Sequence, residues 1–564
     1  MNARGKRSFV SFLLIGCLNS LFISQVIAGQ LTVGLNVTGT TLLDTGFPYP
    51  DITGGVGPSH IVELVNLHYS VYRKGDGVRV QSSPSIQFWA DAGVTLQSPP
   101  LDSRVLYDPF SERWFAASSE DVIGGADNLL LAVSKSSNPT LGWTGFSVPF
   151  SGLPNSPDVV FFPTLGVNKD GVYVHSNFVV LVMPKADLLA TPPTISHATF
   201  VKSADLGSAF GIGTPVVDLD DSALPEAVLV YDLEGEPLGT LKRTNINGPI
   251  TSPSLGSTAL IPGPAFNFNI PAEQPNSAVR IASTAFSTIS SSVIKRNGIL
   301  WGVQTVGNQG REALRWFAID ANTSVLLQEG LIADVNLDLY MGSIAVNEFN
   351  DVVIGFNGSS TAQFVSSYAV WGRMRSGVMT FSDPQLLKAG VAPFEQLVGI
   401  RPPVAYWGTH SVSVADPTDP FAFWTFQEWV SDKNVWATQI TQLVLPKETL
   451  NQFVSFVPNV STFHTTDDVS GCPIGFLGKF SFKATLTNVG SSPIFDPSVV
   501  VTTLTNGNLL QNARGGPGGV GATLPVPGSA GFLNTGEAVD VPFTICLAQI
   551  QPFTFFVDVL GIVQ

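Results

Sequence analysis

Ile344-Ala345-Val346-Asn347-Glu348-Phe349-Asn350-Asp351-Val352-Val353-Ile354 places an apolar strand, a polar corner and a second apolar strand within eleven residues. Asn and Asp side chains bond their own backbone two residues on, so such a corner belongs to a hairpin. The same shape recurs along the chain. Val105-Leu106-Tyr107-Asp108-Pro109 runs into Arg113-Trp114-Phe115, and Leu165-Gly166-Val167-Asn168-Lys169-Asp170-Gly171 into Val172-Tyr173-Val174. Val412-Ser413-Val414-Ala415-Asp416-Pro417 runs into Phe421-Ala422-Phe423-Trp424. Fainter copies sit at Leu229 to Asp232, at Val293 to Leu300 around Asn297-Gly298, and at Ile61 to Tyr72 around Asn66. The corners near 66, 108, 168, 232, 297, 347 and 416 are about 40 to 70 residues apart, the length of a four-stranded blade with variable loops. A lone hairpin is marginal, whereas radial packing buries both faces of each sheet. The sequence therefore predicts an all-β fold, a β-propeller of about seven blades. Ring closure calls for Gln30–Leu35 to pair with Trp436–Ile440, which removes the open edge.

The bulk composition agrees. A chain of 564 residues exceeds what one core usually supports. Charged residues make up 13%, about half the usual share, so surface polarity falls to Ser, Thr, Asn and Gly. No amphipathic helix longer than two turns is evident, and the 54 Gly and 40 Pro follow no collagen period. The net charge is -15, and no Lys/Arg cluster occurs beyond the first seven residues, which leaves nucleic acid without an electrostatic handle.

Residues 1–28 read as an export signal: Arg4, Lys6 and Arg7, an apolar run from Phe9 to Leu18, then Val26-Ile27-Ala28 as a cleavage site. This predicts a secreted protein with no transmembrane segment in the mature chain. Leu14-Ile15-Gly16-Cys17 also resembles a bacterial lipobox, and the alternative is a protein lipid-anchored through Cys17. In an oxidising compartment the two remaining cysteines, Cys472 and Cys546, are expected to pair. After Pro446 the pattern changes. Phe480 to Gly490 alternates apolar and polar residues, Ala538 to Phe543 opens another strand region, and the Gly-rich Arg514–Gly519 lies between them. The division expected is a signal at 1–28, a propeller at 29–447 and a small immunoglobulin-like β-sandwich at 448–564.

Several phrases resemble a family of secreted bacterial β-propeller proteins of unassigned function. Pro50-Asp51-Ile52-Thr53-Gly54-Gly55-Val56-Gly57-Pro58-Ser59-His60 looks like its opening motif, and Asp102-Ser103-Arg104-Val105-Leu106-Tyr107-Asp108 with Arg113-Trp114 like its second. Ala132–Ser136, Leu165–Phe178 and Tyr406-Trp407-Gly408-Thr409-His410-Ser411 through Trp436-Ala437-Thr438 follow in the same order. The late motif usually reads Trp-Gly-Asp-Tyr. Here Thr409-His410 replaces the last two residues, and any role of that acid is lost. Leu486-Thr487-Asn488-Val489-Gly490 resembles bacterial immunoglobulin-like adhesion modules.

No phosphate loop, H-E-x-x-H zinc motif or G-x-S-x-G elbow occurs, and no cofactor is identified. A channel hydrolase needs two carboxylates and supporting arginines, and the candidates are Asp51, Asp102, Arg104, Asp108 and Asp158. Asp108 before Pro109 is equally what a turn wants. Asn168, Asp170, Asp218 and Asp220 offer hard oxygen ligands for a structural calcium ion, although neither run completes a twelve-residue calcium loop. His60, His175 and His410 are the histidines that blades would bring together if any cluster exists. Trp407, Trp424, Trp429 and Trp436 read either as a sugar-stacking platform or as packing between blades. The leading functional expectation is a secreted or cell-surface binding or scaffold protein whose partner is a glycan or an extracellular protein. The alternative is a carbohydrate-active hydrolase or lyase using channel carboxylates.

Overall fold

A computed structural model of the chain describes residues 29–563 except 123–124, 151–159, 161, 178, 203–212, 231–238, 268–269, 283–288, 290, 376, 398–403 and 528–530. The export segment with Cys17, the candidate Asp158 and the corner near 232 thus lie outside the described residues. What is described is all-β. Seven antiparallel blades span residues 53–84, 101–149, 164–202, 213–261, 293–332, 338–388 and 412–444. They form a β-propeller. Blade 7 takes its outer strand from the start of the chain: Thr32–Thr41 pairs antiparallel with Val435–Val444. The closing strands are those the sequence indicates, but the register is slipped, because Thr32 faces Val444 and Thr41 faces Ala437.

Five of the seven corners sit where an inner strand, the first of its blade, turns into the second. Asp108, Asn168 and Asn347 each accept backbone N–H bonds from their own turns, as does Asp416. Asn297, at φ 53°, makes a tight turn with Gly298. Asn66 instead lies in the second turn of blade 1, and blade 4 turns at Asp218, which accepts from the Asp220 N–H.

These corners also tie blades together at the lower rim, where inner strands end. Lys185 of blade 3 reaches Asp108 at 2.7 Å, Lys295 of blade 5 reaches Asp218 at 2.9 Å, and Lys74 of blade 1 reaches Asp416 at 2.6 Å. Blades 3, 4 and 5 are additionally joined by parallel pairing of their inner strands, Val167 with Val217 and Val216–Asp218 with Val293–Lys295.

The Gly-Gly-Val-Gly run has a packing cause. A Cβ on Gly54 would lie 2.5 Å from Phe426, and one on Gly57 would lie 2.8 Å from Trp114. Only a bare backbone fits between those rings. Trp407, Trp424, Trp429 and Trp436 are all buried, so the packing reading of this group is the one the fold adopts.

Beyond blade 7, two antiparallel sheets share one core that includes Leu486, Val499, Phe543 and Val559. Cys472 and Cys546 are disulfide-bonded across a separation of 74 residues. The bond clips the loop between Val454–Thr466 and Gly478–Asn488 to the strand Ala538–Leu547 of the same sheet. Phe495 packs on Phe349 and Phe421 of the propeller, at ring-centroid distances of 4.7 and 5.8 Å.

Candidate functional site

The upper rim, where inner strands begin, repeats one kink. Asp51, Asp102, Phe162 and Met341 have φ of 41°, 51°, 42° and 55°, each two residues before an inner-strand Thr53, Arg104, Thr164 or Ser343. Asp tolerates this left-handed region better than Phe or Met, and such a bend re-aims the residues that follow. Blades 2 and 6 show the matching bulges, between Leu101 and Arg104 and between Tyr340 and Ser343.

Of the carboxylate candidates, the fold brings Asp51, Asp102 and Arg104 together here. Asn66 bridges the first two. Its Nδ2 donates to Asp51 Oδ2 at 2.9 Å and its Oδ1 accepts the Asp102 N–H at 2.8 Å. Asp51 Oδ1 accepts from the Thr409 N–H and hydroxyl. Burial pushes the Asp102 carboxyl up to about 7, with the Asp51 charge adding to the rise and Arg104 opposing it. Burial likewise pulls the Arg104 guanidinium down to about 10 against the pull of Asp102 and Asp51.

A further acid completes the cluster. Glu428, in the second strand of blade 7, is buried, and its oxygens find no hydrogen-bond partner among the described residues. Burial, then the charge of Asp51, drives its carboxyl well above the usual range. A Cβ on Gly408 would lie 3.2 Å from Glu428 and 3.4 Å from Asp51, so the two acids flank one glycine. Gly408 also has a φ of 108°, which L side chains rarely adopt. Tyr406 stands on the short parallel ribbon of Arg280–Ala282 with Val404–Tyr406, and burial followed by Asp51, Asp102 and Glu428 raises its hydroxyl. An acid inside the apolar run Ala422–Val430 was the signal that would have found Glu428.

Asp108 does not join them. It ends the strand Leu101–Asp108, in which Asp102 is the second residue, and is held by Lys185 at the lower rim. Asn168 Oδ1 accepts from Asp170 N–H, Gly171 N–H and the Tyr173 hydroxyl, while Asp170 caps Leu224 N–H. Asp218 takes Lys295, and Asp220 accepts from Asn297 and Gly298 of blade 5. Among the described residues no three His, Cys, Asp or Glu side chains gather at metal-holding distance. His60 bonds Ser59, His175 lies within blade 3, and His410 stands at the axis with its ring 6.4 Å from Phe162.

A cavity of about 380 Å³ runs along the axis between the inner strands. Ile52, Val105, Leu165, Ile344 and Val412 contribute to an aliphatic wall. Arg104, His410 and Thr214 are among its polar groups toward the upper rim, while Arg296, Glu348, Asp416 and Asp419 edge the lower. Asp51, Asp102 and Glu428 stay out of the wall.

No family model matches the chain, nor does any curated protein. Solved structures do. An exo-β-1,3-galactanase from Phanerochaete chrysosporium with galactose is 11% identical, over 85% of this chain and 98% of that one, at a TM-score of 0.28. The extracellular domains 1-2 of Drosophila semaphorin 1b are 7% identical over 74% and 87%, at a TM-score of 0.36. Kuenenia stuttgartiensis hydrazine synthase is also 7% identical, over 68% and 93%, at 0.36.

Proposed function

We propose that the chain is an exported binding protein whose small ligand seats in the axial cavity, while an immunoglobulin-like C-terminal sandwich serves attachment or assembly. The supporting observation is the cavity itself: about 380 Å³, aliphatic along its length, with polar groups toward its ends. Small-molecule sites have this size and this division between apolar wall and few polar contacts. The signal-like residues 1–28 and the paired Cys472 and Cys546 support export. The test is a thermal-shift and calorimetric screen of the mature chain against glycans and small amphiphiles, repeated on Leu106→Trp, which fills the cavity from its wall. Binding that disappears in Leu106→Trp is expected. Binding that survives it would place the ligand elsewhere.

One observation favours a second reading, a carbohydrate-active hydrolase or lyase. Asp102 is raised to about 7 while Asp51 accepts three hydrogen bonds, and a pair of acids in unlike environments suits an acid and its partner. This reading requires product from a bound glycan and loss of turnover in Asp102→Asn. A glycan bound and released unchanged rejects it.

A further inference from the structure

Resting on the axial-cavity reading, we infer that the ligand is an organic carboxylate with an apolar body, its anionic group held by Arg104. Arg104 is only 8% exposed and stands in the cavity wall. Its Nη1 donates to the carbonyl of its own neighbour, Ser103, and its Nη2 makes no hydrogen bond among the described residues. A buried guanidinium with an unmet donor is costly unless something meets it. Asp51 and Asp102 feel its charge but lie outside the wall, and neither is hydrogen-bonded to the guanidinium among the described residues.

Thr214 supplies a second, independent indication. It comes from blade 4, is 1% exposed, lines the same cavity, and its hydroxyl lacks a partner among the described residues. Two residues from different blades, each with a buried unsatisfied polar atom, thus line one cavity together with aliphatic side chains such as Ile52, Val105, Leu165 and Ile344. A planar carboxylate matches the fork of a guanidinium and leaves an oxygen for a hydroxyl donor. The lower mouth is a poor rival for the anion, because Arg296 there shares the wall with Glu348, Asp416 and Asp419. The acid group therefore points to the upper rim and the apolar body down the axis.

The experiment is calorimetric titration of the mature chain with octanoate, 1-octanol and octylammonium. Octanoate is expected to bind at least about tenfold more tightly than 1-octanol, with octylammonium weakest. Arg104→Gln should remove the octanoate preference, bringing octanoate to the affinity of 1-octanol, and Leu106→Trp should weaken both. Equal binding of octanoate and 1-octanol, or a preference that survives Arg104→Gln, overturns the carboxylate assignment while the cavity reading stands. Binding of either probe that Leu106→Trp leaves intact overturns the cavity reading as well. Absence of any octanoate binding overturns the carboxylate assignment, and the glycan screen then decides the cavity. Should Arg104→Gln fail to fold, the contrast between octanoate and 1-octanol in the unaltered chain, with its loss in Leu106→Trp, decides the assignment.

Discussion

Thr409 donates its backbone N–H and its hydroxyl to the same oxygen of Asp51, at 2.7 and 2.6 Å, across 358 positions of sequence. The contact joins the upper rim of blade 7 to the segment that leads into the inner strand of blade 1, at the seam where the ring closes. A chain with Asp in place of Thr409 would set one carboxylate against another. Thr409→Val should cost about 1.5–3 kcal/mol, the usual loss for a hydrogen bond to a charged group, and Thr409→Ser much less. Denaturant titration of the two variants against the unaltered protein measures the difference.

Glu428 sets a pH dependence. Its folded carboxyl holds a proton that the unfolded chain releases above about 4.5. The unfolded state then binds fewer protons, so each further pH unit weakens the fold by about 1.4 kcal/mol until the folded group titrates. Asp102 acts in the same sense between its ordinary 3.8 and about 7. Glu428→Gln is expected to flatten the fall in stability from pH 5 to pH 7. Denaturation midpoints at the two pH values test this, and an unchanged slope would refute it.

Glu63 fastens the seam from inside. It accepts from the Thr40 N–H and hydroxyl, the Tyr72 hydroxyl and the Thr438 hydroxyl, and it is fully buried. Glu63→Ala removes the acceptor of four donors, of which the Thr438 hydroxyl keeps the Thr40 carbonyl at 3.2 Å; the other three cost about 1–3 kcal/mol each, so the variant should lose at least about 3 kcal/mol. Glu63→Gln, which keeps acceptor and volume, should lose less. Comparative thermal denaturation distinguishes them.

Reducing Cys472–Cys546 reopens a loop of 74 residues. On the chain-entropy view this should cost the C-terminal sandwich about 4 kcal/mol. Calorimetry with and without reductant should show a lowered transition for the sandwich, with the propeller transition little moved.

The ring was legible because Asx corners are local: Asp108, Asn168, Asn347 and Asp416 announce their turns through bonds two residues long. The site was legible where it falls at strand starts, as with Asp51, Asp102 and Arg104. Asp108 belonged elsewhere for a simple reason. It lies six steps along the strand from Asp102, roughly 20 Å at 3.3 Å per residue, and this carries it to the opposite rim. Asn66 read as a corner, yet its side chain turned out to link two acids, since only the packing of blade 2 on blade 1 brings Asp102 to the side chain that already holds Asp51. The slipped register of Thr32–Thr41 was beyond the sequence because alternating Thr, Val and Leu fit several alignments equally.

The parallel pairing that joins blades 3, 4 and 5 makes them a single backbone-bonded plate around one side of the axis. Among the described inner strands, those of blades 6, 7, 1 and 2 form no backbone ladder with their neighbours. The cavity therefore has a stiff wall and a compliant one. Arg104 and His410 belong to the compliant arc, so on the proposed carboxylate reading any widening around an occupant would fall on the side of its polar end, while Thr214 would stay as a fixed reference.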